Sequence, residues 1–175
     1  MYNTNKFHFS KSLLHWYDSN KRDLPWRKTN DLYKIWLSEV MLQQTRVNTV
    51  VPYYLQWVEK YKSIRSVAKA ADQKLLKLWE GLGYYSRCRN FHKACIITAN
   101  DYDGEIPSDY LKFRALPGVG DYIAAAVFSI GLKQTYPAID GNVKRVMARV
   151  LRIKNITKRR SEEHTSELQS RAYLV

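Results

Sequence analysis

The chain has 175 residues, enough to bury a hydrophobic core as one domain or as a compact two-lobed unit. Its formal net charge of +13 favours a polyanionic partner and salt-sensitive binding to a nucleic-acid backbone. No apolar run reaches the length of a membrane helix and the amino end has no apolar signal core, so we expect a cytoplasmic protein without membrane attachment.

Apolar residues recur at helical spacing along most of the chain, whereas the alternation typical of strands is weak. The pattern predicts an all-α fold with helices at 7–17, 32–47, 49–61, 73–80, 87–99, 122–132 and 142–153. Turn-forming and charged clusters interrupt it at 21–28, 81–84, 101–107, 116–120 and 136–141. Asp72 and Ser108 are predicted to cap the helices that follow them. Short helices without an internal repeat indicate an irregular bundle.

The first loop, Arg22-Asp23-Leu24-Pro25-Trp26-Arg27, is amphipathic and stiffened by its proline. A tryptophan such as Trp26 can stack on a nucleobase while an arginine pairs with the base edge or with a phosphate. The composition of this loop therefore indicates a contact with nucleobases.

The predicted helix over 32–47 carries Glu39 among apolar neighbours. A carboxyl group in such a setting can stay protonated near neutral pH and act as an acid, although a solvated surface residue is the commoner outcome for a single Glu. Gln43 and Gln44 offer amide edges suited to reading a base or wedging into a duplex, but alone they would be ordinary surface amides.

Gly81-Leu82-Gly83-Tyr84-Tyr85 is a tight turn that presents aromatic side chains beside cations such as Arg87. This suits insertion at a base step, and a helix C-cap followed by core tyrosines is the competing interpretation. Cys88 and Cys95 lie seven residues apart on the next predicted helix, which argues against a disulfide. An iron–sulfur cluster usually needs four thiolates and the sequence has two, so both are predicted to be core or half-buried thiols.

Leu116-Pro117-Gly118-Val119-Gly120-Asp121-Tyr122 precedes an alanine-rich helical stretch. Glycines let the backbone approach a ligand closely, and the N–H groups at the start of the helix suit a phosphate. Further on, Ile139-Asp140-Gly141-Asn142-Val143-Lys144-Arg145 places one carboxylate beside cations. A phosphate-binding turn near a single carboxylate suggests chemistry on nucleic acid. If each run is considered alone, the first is only a turn and Asp140 only a helix N-cap.

These segments, in this order and spacing, resemble the helix-hairpin-helix DNA glycosylases, and most closely the adenine DNA glycosylases of the MutY type. The resemblance covers about residues 5–155 and is carried by the runs 38–45, 81–85, 116–120 and 140–143. It implies a two-lobed all-α fold with DNA in the cleft. A six-helix lobe would span 21–135, with the helix-hairpin-helix near 110–131, and residues 1–20 and 136–160 would begin a second lobe that holds a 4Fe–4S cluster in the family.

The resemblance also assigns roles to single residues. Glu39 would be the general acid and Asp140 the second catalytic carboxylate, with Tyr122 beside them. The adenine pocket would be formed by Arg22, Leu24, Trp26, Arg27 and Tyr122. Duplex contacts would come from Gln43, Gln44, Tyr84, Gly118, Val119, Gly120 and Lys144.

The chain departs from the family pattern at its end. The cysteines that hold the cluster and the domain that reads the oxidised guanine are missing, so we expect an amino-terminal fragment whose second lobe is incomplete and whose stability is marginal. Residues 161–175 continue neither the periodicity nor the basic character, and they resemble a translated sequencing adapter. We interpret them as a non-native tail, and a natural polar helix end is the alternative.

The resemblance implies a monomeric, monofunctional enzyme of the bacterial nucleoid. It would act on double-stranded DNA and hydrolyse the N-glycosidic bond of adenine mispaired with 8-oxoguanine or guanine. Two alternatives remain. An endonuclease III-like glycosylase/lyase on oxidised pyrimidines would need a Schiff-base lysine where Tyr122 stands, and tyrosine cannot form the imine. A catalytically inert DNA-binding fragment would use only the hairpin.

Overall fold

The computed structural model describes residues 4–153, with side chains from residue 9 onward, and every regular element in that range is a helix. The α-helices are α1 (Thr4–Asn20), α2 (Leu32–Leu42), α3 (Val47–Lys60), α4 (Ile64–Ala68), α5 (Asp72–Trp79), α6 (Ser86–Asp101), α7 (Tyr110–Arg114), α8 (Asp121–Gly131) and α9 (Gly141–Val150). A single 3₁₀ turn, Pro25–Arg27, precedes α2. The predicted all-α fold is confirmed, and α7, the 115–120 turn and α8 form the predicted helix-hairpin-helix.

Several boundaries differ from the predicted ones for local reasons. The helix predicted over 32–47 ends at Leu42, because Gln44 adopts a left-handed backbone conformation with φ of 56°. The five-residue helices α4 and α7 are too short to show a helical period in the sequence.

Both predicted caps are displaced by one residue. Asp72 is the first residue of α5 rather than its N-cap, and its carboxylate faces His92 Nδ1 at 3.4 Å. Asp109, not Ser108, caps α7 and accepts a hydrogen bond from the Lys112 N–H at 3.0 Å. An Asp in the first turn still complements the helix dipole.

The core is centred on α2, which packs against α3, α6 and α8. Seven of its eleven residues are buried, and Trp36 and Leu37 are completely so. The Trp36 ring meets Phe91 and Phe113 edge-on, with centroid distances of 4.7 and 5.3 Å. Such contacts add to the large apolar area that aromatic residues bury. The position of α2, and with it that of Glu39, is therefore set by the core.

The alanine-rich sequence of α8 is explained by its close approach to α2. Ala124, Ala125 and Ala126 are buried, and a Cβ added to Gly131 would lie 2.2 Å from Leu32 Cδ2. Larger side chains on this face would push the helices apart. The close packing holds the start of α8, with Tyr122, beside Glu39 of α2.

The two outer helices are much less buried. On α1, Phe9, Leu13, Leu14, Trp16 and Tyr17 are between 39% and 63% exposed, and on α9 only Ala148 is buried. The division into lobes at residues 20 and 136 stays a prediction, and residues 154–160 and the 161–175 tail lie outside the described residues. Within the described part of the chain, no helix is both long and apolar enough to cross a membrane.

Candidate active site

A cavity of about 930 Å³ opens at the carboxyl-terminal end of α2. Its wall includes most of the predicted site residues, which come from five separate parts of the chain. They are Arg22, Leu24, Trp26, Arg27, Glu39, Gln43, Gln44, Tyr84, Tyr122 and Asp140. A volume of this size is typical of a small-molecule site and exceeds what a single nucleobase needs.

Glu39 lies on the third turn of α2 and is half-buried in this cavity. Burial raises the pKa of the Glu39 carboxyl above its ordinary value of 4.5, and the negative charge of Asp140 raises it further. A hydrogen bond from the Tyr122 hydroxyl acts in the opposite direction. Glu39 therefore lies in a desolvated setting, and its role as an acid stays a prediction.

Tyr122 lies in the first turn of α8, and its side chain reaches the Glu39 carboxylate. Burial and the adjacent charge of Glu39 raise the pKa of the Tyr122 phenol, so the hydroxyl stays protonated and can donate. A phenol at this point can hold a carboxylate or a base edge, but it cannot form an imine with a sugar.

Asp140 is both an N-cap and a cavity residue. One carboxylate oxygen accepts a hydrogen bond from the Val143 N–H at 2.7 Å, and the other accepts one from Asn142 Nδ2 at 3.1 Å. The capping interpretation of Asp140 is thus correct without excluding a role in chemistry. Both oxygens have donors that suit a carboxylate ion facing the cavity.

The loop from Arg22 to Arg27 forms one wall of the cavity, but its tryptophan is not free. Trp26 is only 7% exposed and packs edge-on against Tyr54 with 5.2 Å between ring centroids. In this conformation little of the indole face is open to the stacking that the sequence predicted. Arg27 is exposed and lies over the ring of Tyr17, an α1 residue that also lines the cavity.

Gln44 and Tyr84 lie at the rim of the cavity on two different loops. Both are exposed and both have a left-handed backbone, with φ of 56° and 48°. Tyr84 is 59% exposed, which favours the presenting turn over the alternative of a core tyrosine. The nearby Arg87 is 8% exposed, so it is not the surface cation that the sequence suggested.

The glycine hairpin lies outside the main cavity. Gly118 has φ of 76°, and a Cβ there would lie 2.9 Å from Asn90 Cβ, so this position requires glycine. Val119 is buried, while Gly120 is the N-cap of α8 and a Cβ there would meet nothing within 4 Å. A smaller cavity of about 260 Å³ adjoins Gly118 and shares Gln43 and Arg87 with the main one.

Lys144 does not line the main cavity and lies on α9, one turn after Asp140. Sequence reasoning missed other lining residues, among them Tyr17, Thr29, Asn30, Ile130 and Lys133. Lys133 follows the end of α8 with φ of 56°, a backbone conformation that its sequence gives no reason to expect.

Cys88 and Cys95 are completely buried in α6, as predicted for core thiols. Burial raises the pKa of Cys88 to about 12 and also raises that of Cys95, which disfavours the thiolate form that binds iron. Residues 4–153 contain no group of three or more His, Cys, Asp or Glu side chains that could hold a metal ion. The described residues therefore do not fit a 4Fe–4S cluster.

A helix-hairpin-helix beside a cavity with two carboxylates defines the class of this molecule. A sequence model of the HhH-GPD superfamily of base excision DNA repair proteins matches residues 37–171, and the chain belongs to that superfamily. Among curated proteins it is similar to the adenine DNA glycosylase of Buchnera aphidicola subsp. Acyrthosiphon pisum, with 39% identity over 154 residues, 87% of this chain and 44% of that protein. It is 44% identical to the adenine DNA glycosylase of Rattus norvegicus over 152 residues, 81% of this chain and 29% of that protein.

The chain spans less than half the length of these relatives. Among solved structures, a thermostable thymine-DNA glycosylase matches with a TM-score of 0.79 and 29% identity, covering 83% of this chain and 67% of that one. A trapped endonuclease III–DNA covalent intermediate matches with a TM-score of 0.71 and 22% identity, and the match covers 83% of this chain and 68% of that one. The second likeness concerns the fold alone.

Proposed function

We propose that this protein is an adenine-specific DNA glycosylase that hydrolyses the N-glycosidic bond of adenine mispaired with 8-oxoguanine or guanine. The observation that carries the proposal is the half-buried Glu39, which shares one cavity with Asp140 and Tyr122. The names of its relatives, at about 40% identity over more than four fifths of this chain, support adenine as the base removed.

The partner would be double-stranded DNA, bound by a monomer at the bacterial nucleoid. The net charge of +13 supports binding through phosphates, and the glycine hairpin before α8 offers uncapped N–H groups to one of them. Gln44 and Tyr84 at the cavity rim would enter the duplex where the adenine leaves the stack. Extrusion is required because the reacting bond is out of reach inside a paired duplex.

The reaction begins with adenine in the cavity and Glu39 protonated. Glu39 donates its proton to N7 of adenine, and the bond between C1′ and N9 breaks with its electron pair going to the base. The sugar develops positive charge, which the carboxylate of Asp140 stabilises. A water then adds its oxygen to C1′ and gives its proton to the Glu39 carboxylate, which restores the acid.

Tyr122 separates this reaction from that of a lyase. A glycosylase/lyase forms a covalent imine with the sugar through an amine, and the phenol of Tyr122 occupies the place beside Glu39. We therefore propose hydrolysis without strand cleavage. A 4Fe–4S cluster, which the resemblance implies, would need thiolates from outside these 175 residues, and no step above uses it.

The test is release of adenine from duplexes that place it opposite 8-oxoguanine, guanine or thymine. We expect release from the first two duplexes and not from the third. Glu39→Gln keeps the shape of the side chain but cannot donate the proton, so we expect a loss of more than about 10³-fold in single-turnover rate with duplex affinity nearly unchanged. Release at the parent rate by Glu39→Gln would remove Glu39 as the acid.

Two further measurements test the partner and the reaction class. Affinity for an undamaged duplex should fall steeply as salt rises, and a flat response would contradict the phosphate-binding proposal. Borohydride should trap little covalent adduct, and strands should break only after alkali. Efficient trapping, together with strand breaks before alkali, would establish lyase chemistry through an amine of this chain instead.

A further inference from the structure

We propose that Arg87 is a positioning residue that joins the two loops at the cavity rim into one rigid unit. The first loop, residues 43–46, carries Gln44, and the second, residues 80–85, carries Tyr84. The loops are about forty residues apart in sequence and share this one side chain. Arg87 links the two loops in the protein without DNA. The consequence of this link for base removal rests on the proposed function.

The guanidinium of Arg87 donates to both loops and to the end of α2. Nη1 donates to the carbonyl oxygens of Val40 at 3.2 Å, Met41 at 2.8 Å and Gln43. Nη2 donates to Thr45 Oγ1 at 3.1 Å and to the carbonyl oxygens of Leu82 at 3.2 Å and Gly83 at 3.1 Å. Gln44 is therefore held on both sides, and Tyr84 is held by the residue before it.

The positive charge of Arg87 is balanced by the dipoles of backbone carbonyl groups and not by an acidic side chain. The side chain is 8% exposed, and among the described residues no carboxylate forms an ion pair with it. Burial lowers the pKa of Arg87, but a guanidinium stays protonated in proteins. The two Nη groups hold four N–H donors in one plane and reach both loops at once, whereas a lysine ammonium has three donors on a single nitrogen.

The backbone of both rim residues needs such support. Gln44 and Tyr84 have left-handed conformations that non-glycine residues adopt at a cost, and such conformations persist where the surroundings fix them. The ring of Tyr84 also lies over the Arg87 guanidinium, with 5.4 Å from its carbon to the ring centroid. The two side chains that face outward are thus set by one buried cation.

If the loops form one unit, a change in either loop loosens both. Hydrogen exchange of the free 175-residue chain, measured on peptides covering 42–47 and 80–86, tests this. For Arg87→Lys we expect exchange to rise at least about 10-fold in both peptides, because hydrogen bonds to a charged donor are lost, with α8 unchanged. Arg89→Lys is the matched control, since Arg89 is exposed two residues along the same helix and keeps its charge.

Thr45→Val supplies a milder variant that removes one acceptor of Arg87 and alters only the first loop. We expect it to speed exchange in 80–86 as well as in 42–47. Faster exchange confined to 42–47, or an increase in α8 as large as that in the loops, would overturn the proposal for either variant.

A second experiment measures the rate of adenine release and the affinity for duplex DNA in the same variant. For Arg87→Lys we expect release to fall about 10²-fold, the loss typical of misplaced groups, while affinity for an undamaged duplex stays within about threefold. Release at the parent rate with both loops loosened would refute the role in base removal. A parent chain that releases no adenine would instead count against the proposed function, and the exchange result would still decide whether the loops are joined.

Discussion

The two helices that bring carboxylates to the cavity are held in opposite ways. Helix α2 buries seven of its eleven residues and presents Glu39 from its third turn, where burial raises the pKa of the carboxyl group. Helix α9 buries only Ala148 and presents Asp140 from its N-cap, where both oxygens have N–H donors. The comparison shows that one cavity holds two carboxyl groups in unlike settings, one desolvated by burial and one at a helix N-cap with N–H donors.

After the loss expected for Glu39→Gln, the largest expected effect concerns the weakly buried side of this comparison. Asp140→Asn should lower the rate of adenine release by about 10² to 10³-fold, because the developing positive charge on the sugar loses its anion. The melting temperature should stay nearly unchanged, since asparagine caps a helix as well as aspartate. Single-turnover kinetics and thermal melting measure the two effects. Release of adenine at the parent rate by Asp140→Asn would mean that Asp140 acts only as a cap.

The second prediction compares truncations on the two helices. Leu37→Ala, at a completely buried position of α2, should lower the free energy of unfolding by about 2–5 kcal/mol. Val146→Ala, at a half-exposed position of α9, should change it by less than about 0.5 kcal/mol. Urea denaturation of the two variants beside the parent measures both. Equal losses would show that α9 is as firmly packed as α2.

The smallest effect is a pH dependence that belongs to Glu39. Because its pKa is raised in the folded state, the folded chain binds more protons than the unfolded chain between pH 4.5 and the raised value. Stability therefore falls as pH rises through that window, and Glu39→Gln removes the fall. The variant should melt higher than the parent near neutral pH, by about 2–4 °C for each kcal/mol gained.

This melting difference should shrink towards zero below pH 4.5, where Glu39 is protonated in both states. A difference that stays constant from acid to neutral pH would mean that the variant is stabilised by packing and not by loss of a buried charge.

The sequence was most informative where local pattern and chemistry coincide. Helical periodicity predicted the all-α fold, and apolar neighbours predicted the setting of Glu39. Most residues chosen for the site do line one cavity, although they come from distant segments. These features depend on residue type and spacing, which a sequence displays directly.

What the sequence could not supply depends on tertiary contacts. Trp26 and Arg87 were expected at the surface, because nothing in the local sequence distinguishes an exposed tryptophan or arginine from a buried one. The carbonyl groups at the turn that ends α2, those of Met41 and Gln43, accept hydrogen bonds from Arg87, which lies more than forty residues further along the chain. The roles of the individual site residues stay predictions for the experiments above.

The distribution of tryptophans gives the molecule a built-in optical reporter. Four of the five indoles are at most 7% exposed, whereas Trp16 on α1 is 59% exposed. Emission from Trp16 should be red-shifted and open to collisional quenching by acrylamide, while the other four are shielded. Any surface that covers α1 would shift the spectrum to the blue and remove the quenchable fraction. Fluorescence of the unlabelled chain can therefore follow the covering of this helix.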